Sequence, residues 1–180
     1  MENQYIRLIN RNHPLSPDYI PKYLVDIGLP FDAATDDPKR LLEKCAAHAA
    51  RELFCAASAE GLSLYGISGY RSYARQQELY TGSPYVAFPG TSEHQSSCPQ
   101  IKLELTEEFA KTPEGVWLFK NASLFGFILR YPQNKTSITQ VPYEPWHIRY
   151  VTKPLATYLS LTATTLEEYH ALQENHILLS

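Results

Sequence analysis

"DPKRLLEKCAAHAARELFCAASAEG", residues 37–61, decides how this 180-residue chain is built. Asp37 has the side chain of a helix cap, and Pro38 suits the first helical position, where its missing N–H costs nothing. Leu42, Cys45, Ala49, Leu53 and Ala56 recur at helical spacing, and Gly61 supplies a stop. The spacing predicts a long core helix. Downstream, "LSLYGISGY" (62–70) reads as a strand, "SYARQQELY" (72–80) as a short helix and residues 81–91 as a Gly/Pro loop. "IKLEL" (101–105) alternates and reads as a strand. Helical patterns return at 106–111 and 113–124, the second with Thr112 as cap and Pro113 in its first turn. "FGFILRY" (125–131) and "WHIRYV" (146–151) read as strands, and "TTLEEYHALQEN" opens on a capping box, Thr165 to Glu168. This mixture predicts an α+β fold, a small mainly antiparallel sheet flanked by helices, rather than a doubly wound sheet.

Ahead of Asp37, residues 1–36 read as an irregular arm, because Pro14, Pro17, Pro21 and Pro30 stand too close for long helices. A chain that is 44% hydrophobic and 19% charged is expected to form a single globular domain over 1–180. The formal charge of −3 gives no reason to expect nucleic acid. No stretch approaches the ~20 apolar residues of a membrane span, and "MENQYIRLINRNHPL" has no signal-type apolar run. Cys45, Cys55 and Cys98 are an odd number without a C-x-x-C pair, which favours a reduced, cytoplasmic protein.

Three stretches hold residues suited to chemistry. In "YEPWHIRY", Glu144 and His147 stand three apart at the entrance to a strand. Zinc hydrolases need a ligand imidazole and a carboxylate that takes a proton from water; a surface Glu and a half-buried His beside Trp146 is the plainer alternative. In "SGYRSYARQ", Arg71 and Gln76 fall where a strand passes into a helix, and an arginine fork there can hold a carboxylate. A surface salt bridge is the competing reading. In "GTSEHQSSCPQIKLEL" (90–105), His94 follows Ser92 on a loop opened by Pro89 and Gly90, a place for a metal ligand.

"SGYRSYARQ", "PGTSEHQ", "FGFILRYP" and "YEPWHIRYV" occur in this order, with "LINRNHPL" near the start and "LEEYH" near the end. Together they resemble the D-alanyl-D-alanine carboxypeptidase family of the VanY and VanXY type, zinc peptidases of the peptidoglycan stem peptide. The resemblance covers nearly the whole chain. It implies a zinc-peptidase fold of the LAS type, with zinc at the edge of the sheet. It also implies His94 and His147 as zinc ligands and Glu144 as the base that activates zinc-bound water and later protonates the leaving amine. Arg71, with Ser92 and Gln76, would hold the C-terminal carboxylate or neighbouring polar groups of the peptide. The implied partner is a stem peptide or a D-Ala-terminated precursor, and the implied activity is removal of its C-terminal D-amino acid as a carboxypeptidase or dipeptidase.

The chain departs from that pattern at the metal. The family's motif is Ser-x-His-x-x-Gly-x-Ala-x-Asp; counted from Ser92, this chain has Ser97, Pro99 and Ile101 at the glycine, alanine and aspartate. Isoleucine cannot coordinate zinc. Glu104, Cys98 or a water are the conceivable third donors. The connecting segment "TGSPYVAF" (81–88) is also shorter than the family's, and Thr152 stands in "RYVT" where the family has glycine. The expectation is a zinc carboxypeptidase with a degenerate metal motif; the alternative is an inactive pseudoenzyme that keeps the fold and the peptide-binding arginine. D,D- against L,D-specificity, and with it any part in antibiotic resistance, is not legible.

Overall fold

In a computed structural model of the chain, which describes residues 4–26, 28–83, 85–96, 100–101 and 106–178, Asp37 does cap a helix, but a brief one. Its carboxylate accepts the N–H of Lys39, and only the 3₁₀ turn Pro38–Arg40 follows. Leu41–Glu43 (β2) is then a strand, paired antiparallel with Leu24–Asp26 (β1). The long helix α1 therefore starts at Lys44 rather than Pro38 and runs to Ala59, with the Glu43 carboxylate accepting the N–H of Cys45. The local capping signal yielded to tertiary pairing. The backbone around β2 also receives the N–H of Gly69 on Lys39 O and of Tyr70 on Leu41 O. The buried face of α1 shifts accordingly: Ala46, Ala49, Ala50, Leu53 and Ala57 are buried, and Cys45 is exposed.

The strand expected over 62–70 contracts to Gly66–Ser68 (β3), while the next helix, Tyr73–Leu79 (α2), is capped by Ser72. Gln100–Ile101 (β4) is the described part of the strand expected over 101–105; residues 102–105 lie outside the described residues. The pattern at 106–111 forms a 3₁₀ turn, Glu107–Lys111, and Thr112 caps Pro113–Asn121 (α3) by accepting the N–H of Gly115. Phe127–Tyr131 (β5), Thr136–Thr139 (α4), Glu144–Tyr150 (β6), Lys153–Thr162 (α5) and Leu166–Leu178 (α6) complete the order. The capping box before α6 closes in both directions: Thr165 Oγ1 accepts the N–H of Glu168, and the Glu168 carboxylate accepts the N–H of Thr165.

The main sheet has the order β3-β4-β6-β5, all antiparallel. With helices around it, the fold is α+β, as expected. One face of β5 and β6 packs Phe127, Trp146 and Ile148 against α1 and α3; the other packs Ile128 against Val151, Ala156, Leu159 and Leu166. Each such fully buried side chain contributes about 1.5–3 kcal/mol. Burial on both faces explains why these strands are almost unbroken apolar runs. Arg130, Glu144, His147 and Arg149 are the polar exceptions, all of them buried. The N-terminal arm is tied in as well, with Leu8, Ile9 and Leu15 buried and the Leu15 N–H on Gly90 O at 2.8 Å. No described helix is long and apolar enough to cross a membrane.

Thr152, just before α5, has φ 88° and ψ 151°, a region suited to glycine and strained for a β-branched residue. Such a residue costs on the order of 1–3 kcal/mol. Thr152→Gly should therefore raise the thermal midpoint by roughly 2–4 °C, the shift expected from about 1 kcal/mol in a chain of this size. Thr152→Ala, which keeps a Cβ, should not. A glycine variant no more stable than the alanine one would remove strain as the explanation.

Candidate active site

In a regular strand, residues three apart face opposite sides of the sheet. Glu144 and His147 nevertheless meet, in a stretch where the β5–β6 ladder is irregular: Leu129 pairs with Ile148, but Tyr131 pairs with Glu144. Such a bulge re-aims side chains. Both residues turn to one side, buried, with His147 Nδ1 at 2.9 Å from Glu144 Oε2. The ring of Tyr131 stands edge-on to His147, with centroids 4.8 Å apart.

His94 lies in a 3₁₀ turn, Glu93–Ser96, in which successive residues are anchored to different parts of the chain. The Ser92 hydroxyl accepts the His94 N–H at 3.4 Å, and Ser96 Oγ donates to Glu93 O at 2.8 Å. Gln95 donates to Ser16 O and Tyr19 O of the arm, at 2.8 and 3.2 Å. His94 Nδ1 donates to Gly69 O at 2.9 Å; a carbonyl only accepts, so Nδ1 carries the proton and Nε2 is the nitrogen that can offer a lone pair. Gly69 has to be glycine, since a Cβ there would lie 2.4 Å from Leu41 O. The two imidazoles meet with ring centroids 5.4 Å apart.

Beneath this turn is a buried ionic network. Arg130 Nε donates to Glu93 Oε1 at 2.7 Å, and its two terminal nitrogens grip the Glu167 carboxylate at 2.9 and 2.6 Å. Arg149 Nη1 comes to 3.2 Å of the same Glu93 oxygen. Burial opposes ionisation of Glu93, but Arg130, Arg149 and His147 outweigh it and hold its carboxyl below the usual range.

Arg71 reaches the same place from the turn between β3 and α2. Its Nη1 donates to Gln76 Oε1 at 2.9 Å and its Nη2 to Ser68 Oγ at 3.2 Å, while its backbone N–H bonds His94 O at 2.9 Å. Gln76, buried, passes the connection on by donating to Ala87 O at 2.7 Å. Gln76 thus stands behind the arginine and ties it to the 81–88 segment. Arg71, Ser92, His94, Glu144 and His147 all line one cavity of about 520 Å³, and Tyr85 stands at its wall. That is an ordinary size for a small-ligand site, which spans roughly 300–1,000 Å³.

The two histidines expected as zinc ligands lie side by side, and Ile101 stands where the family's motif has its aspartate. Ile101 pairs through its backbone with Gly66, and it is Gln100 that registers on both Ser68 and His147. Cys98 and Glu104 lie outside the described residues. Among the described residues no three His, Cys, Asp or Glu side chains are grouped to hold a metal ion. Catalytic zinc usually takes three protein ligands, so the described residues do not by themselves complete such a site. The sequence patterns did not point to Glu93, Arg130 or Arg149. The signal that could have found the two arginines is their place as lone charges inside the apolar runs "FGFILRY" and "WHIRYV".

The fold is α+β, and its cleft brings together an arginine, two imidazoles and a carboxylate. The family model for VanY, D-alanyl-D-alanine carboxypeptidase, matches residues 39–153, and the chain belongs to that family. It is 39% identical over 180 residues to the putative carboxypeptidase YodJ of Bacillus subtilis (strain 168), covering 91% of this chain and 66% of YodJ. It therefore spans just under two thirds of that relative's length. Among solved structures it resembles the LdcB LD-carboxypeptidase, with a TM-score of 0.89, 39% identity, and 95% and 88% of the two chains covered. It also resembles a variant of the vancomycin-resistance D,D-pentapeptidase VanY in complex with Zn(II), with a TM-score of 0.76, 32% identity, and 93% and 99% covered.

Proposed function

We propose that the chain is a carboxypeptidase that removes a C-terminal D-alanine from peptidoglycan stem peptides. The observation that carries this is the convergence of Arg71 and Glu144 with the two imidazoles on one cavity. Arg71, held by Gln76 and Ser68, keeps further N–H donors for the terminal carboxylate of the peptide. Glu144 takes a proton from the water that attacks the scissile carbonyl. It returns that proton to the amine nitrogen as the C–N bond breaks, leaving a shortened peptide and free D-alanine. The likeness to the LD-carboxypeptidase LdcB exceeds that to the D,D-pentapeptidase VanY in identity and TM-score, which supports a stem ending in an L-residue followed by D-alanine.

Arg71→Ala tests the clamp. A charge-assisted hydrogen bond is worth about 1.5–3 kcal/mol, so binding of a free C-terminus should weaken by roughly ten- to a hundredfold. Binding of the amidated peptide, measured alongside by calorimetry, should hardly change. Equal losses on both ligands would mean that Arg71 does not bind the chain end.

A second reading, a peptide-binding domain without hydrolysis, is favoured by the incomplete donor set among the described residues. Zinc content separates the two. Two imidazoles alone hold zinc weakly. We expect about one zinc per chain at saturating zinc, lost on exhaustive dialysis and absent from His94→Ala. No zinc in the wild-type protein under either condition would favour the second reading.

A further inference from the structure

We infer that Arg130 is a positioning residue of this site, through which the last helix, α6, sets the turn that carries His94. Its side chain and that of Glu93 are 0% exposed and border the same cavity, and the proposed function uses neither to bind the chain end or to move a proton. A planar guanidinium held at three points has no rotational freedom left. One point is Glu93, the residue before His94; the other two are the oxygens of Glu167, in the first turn of α6. Arg130 also lies over the ring of Tyr131, 4.9 Å from its centroid, and that ring abuts His147. Both histidines are thus backed by one buried cation, and Glu167 fixes its orientation. A buried ion pair adds little stability over apolar residues of the same volume. Its fork geometry, however, fixes direction in a way that apolar packing does not.

The test uses two neighbouring glutamates. Glu167→Gln breaks the fork, because an amide presents only one acceptor to the two donors of Arg130. Glu167 does not line the cavity. Glu168→Gln is the control: it weakens the same helix start, where Glu168 pairs with Lys135 at 2.8 Å and caps Thr165, but it does not reach Arg130. The readout is the histidine ring spectrum, long-range ¹H–¹⁵N correlations that report tautomer and exchange of the His94 Nδ1 proton. In Glu167→Gln the His94 signals should shift and that proton should exchange faster than in the wild type. Arg130→Lys, which keeps the charge without the fork, should behave alike. Glu168→Gln should lower the thermal midpoint and leave the His94 signals in place. Unmoved His94 signals in Glu167→Gln, or equal changes in Glu168→Gln, would overturn the inference. The inference rests on His94 being a site residue under the proposed function. The spectrum needs no turnover, so a protein that hydrolysed no peptide would still decide it.

Discussion

Glu144→Gln is expected to abolish D-alanine release while leaving the peptide bound. Glutamine has the shape of glutamate, and its amide oxygen can still face His147 Nδ1, now 2.9 Å from the carboxylate. What it lacks is a basic oxygen able to accept a proton from water and return it. Losing a general base of this kind costs roughly 10²–10⁴-fold in rate. Arg71 is untouched, so calorimetric affinity for a D-alanine-terminated peptide and the thermal midpoint should stay near wild type. Chromatographic assay of released D-alanine decides the matter. Turnover within tenfold of wild type would remove Glu144 from the role of base.

Arg130→Met should have the largest effect on stability. Deleting one partner of a buried pair leaves the other charges uncompensated in a medium that solvates them poorly, typically at about 3–5 kcal/mol. Glu93 keeps Arg149 at 3.2 Å, and the Glu167 side chain is 11% exposed, so the lower end, about 3 kcal/mol, is expected. Urea unfolding would report it as a lower midpoint at unchanged slope. A loss under about 1 kcal/mol would show that the network relaxes around the missing cation, since that is the scale of a partner readily replaced.

Much of the site is legible in the residues alone, because its chemistry depends on residue type. Arginine for a chain end, a carboxylate to move a proton and imidazoles for a metal have few substitutes. The short helices whose caps are local are legible too: Thr112 and Thr165 act through side chain and backbone within three residues. Asp37 misleads for the complementary reason. Its cap forms, but a longer helix from Pro38 would have taken Leu41–Glu43 away from β1, a pairing that no local pattern announces.

The sequence by itself determined the α+β class and the family and offered the candidate reacting residues, all properties of residue identity and order. Only the tertiary structure decided that Glu144 meets His147 in the irregular stretch of β6, and that Gln76 stands behind Arg71. It alone showed that the charges in two apolar strands meet Glu93 and Glu167. These depend on register and on contacts between residues far apart in the chain. Period-two alternation places a strand's faces, but which residue stands across from it is fixed only when the neighbouring strand is in place.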